Sequence, residues 1–170
     1  MITKCLFPVA GFGTRFLPAT KAQPKEMLSV LTKPLVQYGV EEALQAGMKN
    51  IAFVTGRNKR AIEDHFDISY EMEEMISGTN KEIQLKGIRE LISQCTFSYT
   101  RQIHVRGLGD AILTGETLIG AQPFGVILAD DLCVGKPDGV MAQMTKVHAK
   151  YKCSVVAVEE VPEQDVNKYG

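Results

Sequence analysis

Short runs of consecutive apolar residues, each closed by polar or glycine-bearing sequence, alternate along this chain with longer segments of helical spacing. Cys5 to Ala10 ends at Gly11, and Ile51 to Val54 closes on Thr55-Gly56-Arg57. Phe97 to Thr100 precedes Arg101-Gln102, Phe124 to Ala129 closes on Asp130-Asp131, and Ser154 to Val158 closes on Glu159-Glu160. Five runs of this length predict strands buried on both faces. Between them, Pro34 to Met48 sets Leu35, Tyr38, Val40, Ala43, Leu44 and Met48 on overlapping helical faces, with Pro34 suited to a first turn and Gly47 near the stop. Asn58 is a candidate N-cap for a helix through Phe66, and Asp110 for one from Ala111 to about Leu118. A further helix fills Asp138 to Tyr151, and the charged, amphipathic stretch from Tyr70 to Gln94 reads as a helical insertion over about 68–94.

Strand and helix in alternation predict an α/β fold: a Rossmann-like open, mostly parallel sheet with helices on both faces and right-handed crossovers. With no internal repeat or low-complexity segment, residues 1–170 form one domain. Sheets of this kind bind ligands at the carboxyl ends of their strands, and Gly11, Gln102 and Asp130 fall at those ends.

The connection from Gly11 to Leu28 has no periodicity, and loops that long in a compact domain are usually functional. Gly11 and Gly13 permit positive φ and close backbone approach, so successive amides can face phosphate oxygens. Thr14 adds a hydroxyl, and Arg15 and Lys25 add two cations; the chemistry indicated is triphosphate binding. A dinucleotide fingerprint would need a third glycine where Phe16 stands and an acidic residue where Thr55-Gly56-Arg57 is found. A Walker loop would need Gly-Lys-Ser or Gly-Lys-Thr, which the chain lacks. Asp130-Asp131, after a buried strand, is a candidate site for Mg²⁺ held against substrate phosphates. Joined to a cationic glycine loop at the same sheet edge, the pair favours metal-assisted phosphoryl or nucleotidyl transfer.

Charge narrows the partners. The 170 residues carry 19 Lys and Arg against 20 Asp and Glu, a formal charge of −1, so no electrostatic case exists for nucleic acid or an anionic membrane. Hydrophobic residues at 45% and charged residues at 23% match ordinary globular usage. No apolar stretch approaches the roughly 20 residues of a membrane span, and a soluble, cytoplasmic protein is expected. Four cysteines without a Cys-x-x-Cys pair and three scattered histidines offer no ligand spacing for a structural zinc site. Cys5, Cys95 and Cys153 each border a strand-like run and read as small buried hydrophobes.

The run from Ala10 through Leu28, with its Pro24-Lys25-Glu26-Met27, resembles the sugar-nucleotide pyrophosphorylases. Lys33-Pro34-Leu35, Thr55-Gly56-Arg57-Asn58-Lys59-Arg60, Arg101-Gln102, Gly107-Leu108-Gly109 and Leu128-Ala129-Asp130-Asp131-Leu132 extend the resemblance over essentially the whole chain. Glu41-Glu42-Ala43, Phe66-Asp67, Ser69-Tyr70-Glu71 and Gly78-Thr79-Asn80-Lys81 narrow it to the bacterial UTP-glucose-1-phosphate uridylyltransferases. That resemblance implies a nucleotide-diphospho-sugar transferase fold in which glucose 1-phosphate attacks the α-phosphorus of UTP, pyrophosphate leaves, and Mg²⁺ neutralises charge. It assigns the uracil and ribose to the backbone at Ala10 and Gly11 and to Glu26 and Gln102, with Gly107 against the base. Gly13 and Thr14 cradle phosphates, with Arg15 and Lys25 as the catalytic cations; Asp130 takes the metal, and Asp131 stands beside it as a neighbour or alternative ligand. Gly170 falls in a motif near the sugar.

The family continues past this point with a Glu-Lys-Pro segment and a further metal-binding aspartate, so the chain is expected to be a C-terminally truncated portion and inactive alone. The full-length protein is expected to be a homo-oligomer. Asp110 replaces a histidine common after Gly-Leu-Gly, and Ser29-Val30-Leu31-Thr32 also departs from the family. The alternatives are a thymidylyltransferase acting on the same sugar phosphate and a nucleotide-binding fragment without turnover.

Overall fold

A computed structural model describes residues 1–166. In chain order it comprises β1 (Lys4–Pro8), a loop with single 3-10 turns at Thr14–Phe16, Ala19–Lys21 and Lys25–Met27, the strands β2 (Ser29–Val30) and β3 (Lys33–Pro34), and α1 (Leu35–Gln45). There follow β4 (Asn50–Thr55), α2 (Arg60–His65), α3 (Tyr70–Ile76), α4 (Glu82–Gln94) and β5 (Thr96–Arg101). The chain continues through α5 (Leu108–Thr114), α6 (Glu116–Ile119), β6 (Gly125–Val126) and α7 (Val140–Tyr151) to a last 3-10 turn at Glu163–Asp165.

The sheet order is β5-β4-β1-β6, and every pairing is parallel, with Phe7 opposite Phe53 and Leu6 opposite both Ala52 and Val126. Alternation along β1 and β4 divides the core between the two faces. Cys5, Phe7, Val9, Ile51 and Phe53 pack on one face with residues of α1, α2, α4 and α7, including Val40, Ile62, Leu91 and Met141. Leu6, Ala52 and Val54 turn to the other, against Ala111 of α5 and Ile119 of α6. Each such fully buried aliphatic or aromatic side chain contributes roughly 1.5–3 kcal/mol. Phe53 anchors the first face, with ring centroids 5.1 Å from Phe7, 5.6 Å from Phe66 and 5.5 Å from Tyr99.

Local signals fix several ends. Gly47, at φ 86°, closes α1: its amide donates to Leu44 O and that of Met48 to Ala43 O, both at 2.9 Å, while Met48 buries itself fully. Lys4 Nζ donates to the last carbonyls of α6, Leu118 O at 3.0 Å and Ile119 O at 2.9 Å, which complements that helix terminus.

The open parallel α/β fold predicted from the pattern is present, with differences of detail. Among the described residues no strand forms over 154–158, where Val156 and Val158 are exposed: a strand exists only with a partner, and none pairs there. The run after Phe124 pairs only at Gly125–Val126; Ile127 and Ala129 stay buried, but an Asp131 N to Leu128 O bond of 3.0 Å turns the chain. The helix predicted from Ala111 begins three residues earlier, after Gly107 at φ 100°, and breaks at Gly115. Asp110 therefore lies in the first turn of α5 and caps nothing there.

Asn58, at φ 64°, precedes α2 without capping it, and Pro34 stands before α1 and not inside it. The insertion is two helices, α3 and α4. Of the three cysteines read as buried, Cys5 is, Cys95 is half-buried and Cys153 is exposed, because no strand carries Cys153 inward. Among the described residues no helix is long and apolar enough to cross a membrane. The expectation for Gly170 lies outside the described residues.

Candidate active site

Parallel pairing puts the carboxyl ends of all four strands at one edge, so Ala10, Gly56, Gln102 and Asp130 follow their strands on the same side of the sheet. The loop after β1 folds over this edge. Gly13 has φ 67°, and a Cβ there would come within 3.0 Å of the Lys25 Cβ, so conformation and space both require glycine. Its carbonyl accepts from the buried Thr20 hydroxyl at 2.7 Å, which ties the loop's beginning to its middle. Gly11 differs from the sequence expectation: its φ is not positive, and its missing side chain faces open space. Thr14 and Arg15 are exposed on the loop's first turn.

Two motifs far apart in sequence meet here. Lys25 Nζ donates to Asp130 Oδ2 at 2.5 Å, with Lys25 about one-fifth and Asp130 over one-third exposed. Neither residue is buried enough for the pair to be a core strut, and both stay open to a ligand. Asp131 is exposed beside it. Among the described residues no group of three or more His, Cys, Asp and Glu forms a metal cage. One or two carboxylates open to solvent suit Mg²⁺, which keeps waters and substrate oxygens in most of its positions.

Behind this pair lies a second one. Glu26 is 1% exposed and Lys59 4%, and Lys59 Nζ donates to Glu26 Oε2 at 2.7 Å. Burial lowers the Lys59 ammonium below the usual lysine range, and the Glu26 charge and hydrogen bond restore it only in part. Glu26 Oε1 is buried with no hydrogen-bond partner. Neither Lys25, its neighbour in sequence, nor Lys33 pairs with Glu26: Lys25 is on Asp130, and Lys33 is on Glu41 at 2.6 Å. Lys59, inside the Thr55-Gly56-Arg57-Asn58-Lys59-Arg60 motif, is a residue of this site that the sequence pattern does not single out.

Gln102 is 5% exposed, and its backbone amide donates to Thr55 O at 2.9 Å. Its side-chain Nε2 donates to Asp110 Oδ2 at 2.5 Å and to Gly107 O at 3.4 Å. Asp110 thus orients Gln102, a role its supposed capping position did not indicate. Gln102, Asp110 and Gly107 form one cluster at the end of β5.

A cavity of about 350 Å³ opens beside the loop, lined by Gly11, Thr14, Lys21, Arg57 and Lys59 among others. Its several cations suit a polyanion. A larger cavity of about 620 Å³, lined by Met48, Phe124, Val126 and Met141 among others, touches no residue of the 11–28 loop. It does not share the site's chemistry.

The family model described as nucleotidyl transferase matches residues 8–170. A UTP–glucose-1-phosphate uridylyltransferase of Pseudomonas aeruginosa is 63% identical over 171 residues, covering 100% of this chain and 61% of that protein. Among solved structures, an apo UDP-glucose pyrophosphorylase superposes with a TM-score of 0.94 at 61% identity, covering 99% of this chain and 62% of its own. A UDP-glucose pyrophosphorylase complexed with UDP-glucose gives 0.89 at 58% identity, over 99% and 61%. The chain spans about three-fifths of the length of the relatives it matches.

Proposed function

The chain belongs to the nucleotidyl transferase family, and from that premise we propose that the full-length protein transfers UMP from UTP to glucose 1-phosphate, giving UDP-glucose and pyrophosphate. The observation that carries the reading is the 2.5 Å contact between Lys25 and Asp130, which brings a cationic glycine loop and a metal-type carboxylate to one point at the sheet edge. The names of relatives at 63% and 58% identity favour the uridylyl reading over the thymidylyl one.

In this reading the Gly13–Arg15 turn presents backbone amides and the Thr14 hydroxyl to the triphosphate, while Ala10, Gly11, Glu26 and Gln102 meet the uridine and Gly107 lies against the base. A phosphate oxygen of the sugar phosphate displaces pyrophosphate at the α-phosphorus, and Arg15 and Lys25 offset the charge growing on the leaving group. The ammonium of Lys25 has three donors, so it can keep one on Asp130 and turn the others to phosphate. Asp130, with Asp131 beside it, would hold a Mg²⁺, which would supply charge neutralisation at the phosphate oxygens. A cytoplasmic, homo-oligomeric enzyme with neither nucleic acid nor membrane as partner completes the proposal, and the part near Gly170 would belong to the sugar site.

Product assays of the full-length protein with UTP or dTTP, beside the 170-residue chain, test this directly. UDP-glucose should predominate, and Arg15→Ala should lower kcat about 100-fold, equivalent to roughly 3 kcal/mol of lost transition-state stabilisation. Near-normal turnover of Arg15→Ala at saturating UTP would sink the assignment.

A further inference from the structure

The Glu26–Lys59 pair has a chemistry that phosphate binding does not use. Lys59 is followed by α2, and the exposed residues Arg57, Asn58 and Arg60 surround it in sequence. Asn58 adopts the left-handed conformation at φ 64°, and of these four polar residues only Lys59 turns inward. Its ammonium consumes one oxygen of Glu26, at 2.7 Å, and leaves the other buried without a donor. An unsatisfied buried acceptor is costly, and such an atom at a ligand site is one that a ligand N–H can complete.

We infer that Lys59 is a positioning residue for base selection: its ion pair fixes the Glu26 carboxylate so that the free Oε1 admits a pyrimidine with an imide N–H and rejects one whose ring nitrogen is itself an acceptor. The inference rests on the reading that Glu26 meets the base. Uracil carries hydrogen at N3, and cytosine carries a lone pair there, so a fixed carboxylate oxygen attracts the first and repels the second. A site built to pair a substrate N–H rejects the analogue lacking it, because its own buried group is then left unpaired. Thymine shares the imide, so Lys59 separates imide bases from cytosine and is indifferent to the 5-methyl group. Without Lys59, the buried carboxylate loses both its partner and its fixed orientation, so Oε1 is no longer held in place to discriminate at the ring N3 position.

The test is calorimetric titration of the full-length protein with UTP and with CTP, each with Mg²⁺, alongside thermal unfolding. Lys59→Met should reduce the UTP-over-CTP preference at least ten-fold, with UTP weakened more than CTP. Lys59→Gln keeps one neutral hydrogen bond to Oε2, so it should move the ratio the same way by less; it serves alone if Lys59→Met does not fold. Glu26→Gln, whose amide can donate or accept, should also collapse the preference. If Glu26→Gln collapses it while the Lys59 variants keep the original ratio, or weaken both nucleotides equally, Lys59 is a scaffold residue and the inference is overturned although the reading of Glu26 stands. If no variant moves the ratio, Glu26 does not meet the base, and the reading falls with the inference.

Discussion

Replacing Lys25 by methionine should tighten the binding of a divalent cation to the nucleotide-free protein. In the free chain the Lys25 ammonium occupies Asp130 Oδ2 at 2.5 Å, so a metal must displace or share that contact. Two unit charges at about 4 Å interact by about 1 kcal/mol in water and about 4 kcal/mol at an effective dielectric of 20. With side chains 20% and 37% exposed, the pair lies nearer the first limit, where ion pairs are worth about 0.2–1 kcal/mol. Taking about 1 kcal/mol, the metal-alone affinity should rise about five-fold in Lys25→Met. Mn²⁺ binding followed by electron paramagnetic resonance, in place of Mg²⁺, measures this without nucleotide or turnover. The same variant should bind UTP more weakly, because a phosphate-facing cation is gone, and these opposite signs identify Lys25 as shared between metal and nucleotide. Unchanged or weaker Mn²⁺ binding in the variant would refute the reasoning and remove Asp130 as the metal ligand.

The scaffold beneath the site is open to test as well. Gly56→Ala would place a Cβ 3.0 Å from the Ala10 carbonyl oxygen and 3.3 Å from its Cα, both backbone atoms that cannot rotate away. A loss of about 1–2 kcal/mol in stability, read from a lower denaturant midpoint, is expected, together with weaker UTP binding as Ala10 shifts; an unaltered midpoint would mean the strand ends yield freely. His65 supplies a pH dependence: burial lowers its imidazole below the ordinary histidine range, with Nε2 3.1 Å from Gln37 Oε1. As pH falls below about 6.5 the unfolded chain takes up a proton the folded chain resists, so stability falls with pH through that window and is unaffected by His65 above it. In urea titrations at pH 7.5 and 5.5, His65→Gln should flatten this loss; an identical drop in both proteins would exclude His65 as its source.

Much of this architecture is legible along the chain because parallel strands buried on both faces must be written as unbroken apolar runs. Cys5 to Ala10 and Ile51 to Val54 needed nothing but their own hydrophobicity, and they flank the site. Ser154 to Val158 looks equally strand-like, yet its state depends on a pairing partner that no local pattern contains. Gly13 was readable because its loop had no other purpose, whereas Gly11 proved to need neither positive φ nor space. Lys59 was invisible for the opposite reason: lysine is ordinarily an exposed residue, and only Glu26, far away in sequence, makes its burial tolerable. Asp110 was misread for a similar cause, since its partner Gln102 lies just past the end of β5 and not in its own helix.

The placement of β1 between β4 and β6 has a consequence for how the chain comes to be made. Its edge toward β4 can close once residue 54 has been synthesised, but its other edge waits for Val126, about 70 residues later. At ordinary elongation rates of about 5–20 residues per second, that interval lasts about 4–14 s. Throughout it, a strand whose Cys5, Leu6 and Phe7 end fully buried presents a row of unsatisfied backbone groups to the crowded surroundings of the ribosome. The segment made during this interval, from α2 to α6, can cover both faces of β1 but not its open side. Slowing translation between codons 55 and 126 would therefore lengthen the nascent chain's exposure to strand-to-strand association, with no change to the finished protein's sequence.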